Sequence, residues 1–215
     1  MMNLKRSLTI ALAVFAGTAY GASPALTQNS FKPAVEKYLQ EKGNFCLGKF
    51  NWPIEVSELD RQRGTNDSIQ MPVLEKLGLV VSSAVAGDST AEQYDLTDQG
   101  RKYYLVKKTV TLGPGDKPVD HPGDFCAARL KLDRVVGWQS PEVVGGRTQV
   151  TVKYTYKVAA AADWTHDPEI KRVFPMIHRI VDGEGTMQLT QLFAWSNQRW
   201  VAVTPGDGEA QGGSR

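Results

Sequence analysis

His166 is followed directly by Asp167, and Trp164 stands two residues before the histidine. A carboxylate that orients an imidazole can make a general base, so a small hydrolase using His166 and a carboxylate is one reading of this segment. Pro168 points to another. Aspartate followed by proline is the signature of a helix cap with proline at the first helical position, which commits the carboxylate to backbone N–H groups and leaves His166 a solvated loop residue. Capping preference favours this second reading. Trp164, in the same loop and preceded by four alanines (159–162), is then a candidate anchor for a partner, because loops carry contacts more often than strands do. The other two histidines are His121, in a proline- and glycine-rich stretch, and His178, just after Pro175; none has a second ligand at metal spacing. The chain contains no HExxH, GxSxG, GxxxxGK or CxxC motif. Neither metal nor cofactor is expected, and the sequence leans away from an enzyme.

The two cysteines, Cys46 and Cys126, sit in near-identical contexts, Gly43-Asn44-Phe45-Cys46 and Gly123-Asp124-Phe125-Cys126. Each opens a strand-like segment, and together they read as one disulfide. Closing a loop of that length destabilises the unfolded chain by at most about 4.5 kcal/mol on the chain-entropy model. A redox or nucleophilic cysteine would want a CxxC pair or a lone thiol near a base, and neither is present.

A disulfide requires an oxidising compartment, and the first residues supply the route to one. Residues 1–21 begin with Lys5 and Arg6, continue as the apolar run 8–16, and end in small residues with Ala19 and Gly21 where a signal peptidase reads. The run is shorter than the roughly 20 residues that span a bilayer. No cysteine beside the cleavage site offers a lipid anchor, so the product is expected free in the periplasm or outside the cell. Loss of Lys5 and Arg6 leaves 23 basic and 23 acidic residues, a balance that argues against a general polyanion binder.

The elements that must hold these residues can be read from periodicity. Asn29 or Ser30 can cap a helix whose apolar residues Phe31, Ala34, Val35, Tyr38 and Leu39 share one face, and Gly43 ends it. A strand follows over 45–50, interrupted by Trp52-Pro53. A polar stretch, 57–67, precedes a short helix. Residues 69–104 then run helix end (Leu74-Glu75-Lys76-Leu77), Gly78 as left-handed cap, strand, polar turn at Gly87-Asp88, strand, and Thr97 capping a last helix. This order resembles the second half of a winged-helix domain of the MarR or PadR kind. The resemblance implies a DNA-reading helix, yet the helix in that place carries Pro72, one lysine, one glutamate and no arginine over 72–77. A reader of DNA needs phosphate- and base-contacting side chains there. An exported neutral chain has no genome to read, so the resemblance implies a scaffold or protein-binding version, with no nucleic acid as partner.

Three prolines and three glycines in residues 113–123 mark a linker between a module over 22–112 and a second over 124–204. Beyond it the period becomes two. Leu130 and Leu132 alternate with charged residues, as do Val150, Val152, Tyr154, Tyr156 and Val158 with Thr and Lys, giving half-buried antiparallel strands. Gly145-Gly146 turns the chain between them over a connection too long for a minimal hairpin. Ile170, Val173 and Phe174 face inward on a helix that Pro175 halts, and Met187, Leu189, Phe193 and Trp195 share a face of a later strand. The basic cluster Arg101, Lys102, Lys107 and Lys108 reads as a solvated helix face. Residues 205–215 are a polar, glycine-rich tail expected to be disordered.

The expectation is an α+β protein, helix and wing first and antiparallel sheet second, tied by Cys46 and Cys126. Its expected role is that of an exported, non-catalytic protein-binding or envelope accessory factor, of the inhibitor or immunity type, with Trp164, His166 and Asp167 touching the partner. The intact mass of the exported product should match a chain starting at Ala22 and lie two hydrogens below its reduced mass. A chain starting at Met1, or thiols that alkylate without reductant in denaturant, would contradict export or the bridge respectively.

Overall fold

A computed structural model describes residues 25–203; the signal peptide read over 1–21 and the tail read over 205–215 lie outside the described residues. Helix α1 (Gln28–Lys42) starts earlier than the Asn29 or Ser30 cap reading, by two or three residues. Thr27 is the cap: its hydroxyl accepts the Ser30 N–H and the Ser30 hydroxyl accepts the Thr27 N–H, both at 3.1 Å. Phe31, Val35 and Leu39 are buried along one stripe, as the 3.6 period requires. The helix stops at Gly43, where a side chain would collide with the Leu39 and Leu130 carbonyl oxygens at 2.2 and 2.8 Å, so only glycine lets the helix end against the sheet this closely.

Strand β1 (Asn44–Cys46) is shorter than the 45–50 reading. The N–H groups of Gly48 and Lys49 turn away from any ladder and donate to the Asp124 carboxylate at 3.2 and 2.8 Å, which makes that stretch a loop. After β2 (Ile54–Val56), the polar stretch 57–67 proves helical. Ser57 and Asp60 form a reciprocal cap for α2 (Glu58–Arg63), and Thr65 caps α3 (Asn66–Lys76), with Gly64 left-handed between them. Gly78, at φ 69°, turns the chain into the hairpin of β3 (Val80–Val85) and β4 (Asp88–Leu96), and β2 adds to the other edge of β4 in the order β2-β4-β3. Thr97 caps α4 (Asp98–Arg101), which is a single turn, so the cluster from Arg101 to Lys108 has no helix face to occupy.

The proline- and glycine-rich stretch is not a linker. Strand β5 (Tyr104–Leu105) joins the large sheet, and β6 (Thr109–Leu112) pairs with β7 (Pro118–His121) as a two-stranded ribbon in which Leu112 faces Pro118 and Thr109 faces His121. Gly113, Pro114 and Gly115 fall in its turn, where Gly115 and Asp116 have positive φ. Two long strands follow, β8 (Asp124–Trp138) and β10 (Arg147–Ala161), with the short β9 (Glu142–Val144) before β10. Gly145 and Gly146, at φ 56° and 75°, make a two-residue hairpin between β9 and β10, so the long connection contains a minimal turn after all. Strand β10 runs on through Ala161, leaving one 3₁₀ turn over 163–166 before α5 (Pro168–Val173). Pro175 ends α5 and also sits at the first position of α6 (Pro175–Asp182), where its missing N–H costs nothing. Strands β11 (Gln188–Ser196) and β12 (Arg199–Ala202) complete an antiparallel sheet ordered β1-β8-β10-β11-β12.

The protein is α+β, and two cores hold it. In one, Phe31, Val35 and Leu39 of α1 pack on the inner face of the large sheet, against Val152, Tyr154, Tyr156, Phe193 and Trp200. The other takes Val56, Met71, Leu74 and Leu96 from the N-terminal half and Phe125, Trp164, Ile170 and Ile177 from the C-terminal half. The boundary read from composition is therefore no boundary in the packing. Cys46 and Cys126 lie directly opposite each other on β1 and β8 and are bridged across 80 residues of chain. Among the described residues no helix is long and apolar enough to cross a membrane.

Candidate functional site

The three residues expected to face a partner do not converge. Trp164 is 8 % exposed, with its ring 5.7 Å from both Phe125 and Tyr103, because the 3₁₀ turn directs it into the core rather than outward. Burial of a large apolar ring outweighs its place in a connecting segment. Asp167 Oδ1 accepts the Glu169 and Ile170 N–H groups at 2.7 and 3.2 Å, which makes it the cap of α5 and commits the oxygen that would orient an imidazole. His166 between them is exposed. His178, on the surface of α6, lies 2.6 Å from Asp182, whose carboxyl is held below its usual range by Lys171 and the histidine. His121 is buried on β7, stacked on Phe50 at 3.9 Å with its Nε2 2.8 Å from the Thr111 hydroxyl. The three imidazoles thus occupy three separate places. Among the described residues no cluster of His, Cys, Asp or Glu could hold a metal.

A concavity lies elsewhere, beside the disulfide. A groove of about 730 Å³ is lined by Cys46 and Cys126, by Tyr38 at the end of α1, by Lys107 and Val110 at the foot of the β6–β7 ribbon, and by Gln191 of β11. Asp124 forms part of its lining. Burial pushes this carboxyl above its ordinary value although two backbone N–H groups hold it. Burial likewise raises the Tyr38 phenol. The Lys107 ammonium donates to the Glu41 carbonyl at 2.6 Å, and Lys108 pairs with Asp120 across the ribbon at 2.8 Å.

Above the groove the ribbon has two unlike faces. Cross-strand pairs share a face, so Thr109, Thr111 and His121 point toward Phe50 and the body, whereas Val110, Leu112, Pro118 and Asp120 point outward. Twelve large apolar side chains are exposed among the described residues, and four of them, Leu105, Val106, Val110 and Leu112, fall within eight residues of chain here; a fifth, Val119, lies opposite Thr111 on the other face of the ribbon. Val106 is 80 % and Leu112 67 % exposed. The alternation Thr109-Val110-Thr111-Leu112 was the signal available in the sequence; the density of proline and glycine just after it masked it.

Helix α3, which the winged-helix resemblance would send into a DNA groove, is packed against α5. Gln70 donates to the Val173 carbonyl at 3.0 Å, and Lys76 pairs with Glu169 at 2.8 Å. Over residues 54–98 nine acidic side chains stand against three basic ones. No protein-family model, curated protein or solved structure matches the chain.

The packing of Trp164 makes a direct prediction. Trp164→Ala should cost about 3–5 kcal/mol of unfolding free energy in a urea titration, whereas His166→Ala should stay within about 0.5 kcal/mol of the parent. An unchanged midpoint for Trp164→Ala would return that residue to the surface.

Proposed function

We propose that the chain is an exported, non-catalytic binding protein whose partner is another protein, docking on the outward face of the β6–β7 ribbon and the groove at its foot. The observation that carries this reading is the clustering of exposed aliphatic side chains over 105–112. Single exposed aliphatics are ordinary, but a contiguous set marks an interaction surface. The ribbon gives a second reason. Two strands alone are marginal in water, and this pair has a packed inner face and an outer face of Val110, Leu112 and Pro118 that gains from an apolar cover. A partner offering apolar side chains, with carboxylates placed to meet Lys107 and Lys117, fits that surface.

The competing readings have less support. A hydrolase built on His166 needs a carboxylate, and Asp167 is engaged as a cap. Nucleic-acid binding needs a free basic helix, and α3 is covered by α5 within an acidic segment. The chain order β2-α2-α3-β3-β4, with its strands arranged β2-β4-β3, supports a winged-helix-like scaffold turned to protein contacts. The Cys46–Cys126 bridge supports a periplasmic or secreted setting.

Val110→Lys combined with Leu112→Lys should leave the thermal midpoint unchanged, because both side chains are exposed, and should weaken partner binding at least thirtyfold, about 2 kcal/mol. The check is quantitative capture from cell-envelope extract, with Val143→Lys as a control at an exposed aliphatic on the distant β9 turn. A partner retained by the ribbon variant, or lost equally with the control, would contradict the proposal.

A further inference from the structure

The outward face of the large sheet is chemically unlike the rest of the molecule. On β10, Val152, Tyr154 and Tyr156 point into the core, so Lys153 and Lys157 point out, with Thr155 between them on the same face but covered, only 2 % exposed. The ladder places Arg134 opposite Thr155 and Lys131 opposite Lys157, and all four cationic side chains are exposed. One carboxylate sits among them. Asp133, at a bulge in β8, has a side chain only 14 % exposed; it accepts the Thr155 hydroxyl at 2.8 Å and Arg134 Nη1 at 3.0 Å, with Lys157 Nζ 3.7 Å away. It therefore fixes two of the cations in place, while Lys131 and Lys153 have no carboxylate partner among the described residues. The face keeps a surplus of three positive charges in a protein whose charges otherwise nearly cancel.

We infer that this face is a second binding surface, independent of the ribbon, and that its ligand is an extended acidic polypeptide segment. Charge complementarity calls for an anion, and the outward positions narrow its class. The neighbours on β11, Gln188 and Thr190, are neutral and polar, and no aromatic ring stands at the outward positions to stack on a base or a sugar. No large aliphatic is exposed beside the four cations to enter a lipid layer. An extended peptide repeats its side chains on one face every ~6.8 Å, the same repeat that spaces Lys153, Thr155 and Lys157 along β10. Carboxylates four residues apart on such a segment would meet Lys153 and Lys157 together, with Arg134 and Lys131 on the neighbouring strand about 4.8 Å to the side.

The test uses the mature, oxidised protein and poly-L-glutamate as probe, read by titration calorimetry at low and at physiological salt, with heparin and single-stranded DNA as comparison polyanions. Poly-L-glutamate should bind with an affinity that falls as salt rises, and Lys131→Gln with Lys153→Gln should weaken it at least tenfold. Both lysines are exposed and outside the Asp133 cluster, so an unchanged thermal midpoint is expected and separates loss of charge from loss of fold. The ribbon variant Val110→Lys with Leu112→Lys should bind the probe undiminished, so failure of the ribbon reading and failure of this one are told apart. Binding indifferent to the two glutamine substitutions, no binding at low salt, or tighter binding of heparin or DNA than of poly-L-glutamate would each overturn the inference.

Discussion

Phe125 is the residue on which both halves of the protein close. Its side chain is fully buried, with Trp52, Tyr103 and Trp164 around it at ring separations of 5.7–6.1 Å, each from a different stretch of chain. The next residue, Cys126, is bonded to Cys46, and the residue before, Asp124, holds the Gly48 and Lys49 backbone. Three consecutive residues at the start of β8 thus tie the N-terminal segment to the sheet by an aromatic cluster, a covalent bridge and a carboxylate clamp. Removing any one leaves the other two to hold β1 in register, but Phe125 alone reaches into the core that the two halves share.

The candidate surface follows from that tie. With β1 and β5 both paired to the start of β8, the chain that runs from β5 to the ribbon leaves the sheet beside the disulfide, and the groove is the space between that exit and the end of α1. The inward face of the ribbon is anchored by the stack of His121 on Phe50 and by the Thr111 hydroxyl, so Val110 and Leu112 are directed outward rather than folded back. The cationic sheet face, by contrast, is a product of strand alternation: with Val152, Tyr154 and Tyr156 buried, Lys153 and Lys157 face water, and Thr155 between them is covered where it meets Asp133.

Much of this was legible in the residues, and the exceptions have physical causes. The bridge, the apolar stripe of α1, the β3–β4 hairpin between Gly78 and Thr97, the Asp167-Pro168 cap and the alternation of β10 all rest on local signals that the tertiary structure has no reason to override. Residues 113–123 failed because proline and glycine mark turns as well as linkers, and only the partner strand distinguishes the two. Pro175 does halt α5, but α6 was missed for a related reason: a proline that ends one helix is also a favoured first residue of the next. Trp164 failed because a single side chain after a strand has no periodicity to reveal which way it points, and the direction was set by Phe125 and Tyr103, about 40 and 60 residues away in the chain. The ribbon surface was missed along with the ribbon.

If the start of β8 unites the halves, the protein unfolds as one cooperative unit. Differential scanning calorimetry of the oxidised protein tests this most directly. A single transition is expected, with a calorimetric enthalpy equal to the van't Hoff enthalpy. Two resolved transitions, or a calorimetric enthalpy well above the van't Hoff value, would mean that the wing segment and the sheet melt independently and that the shared core around Phe125 does not join them.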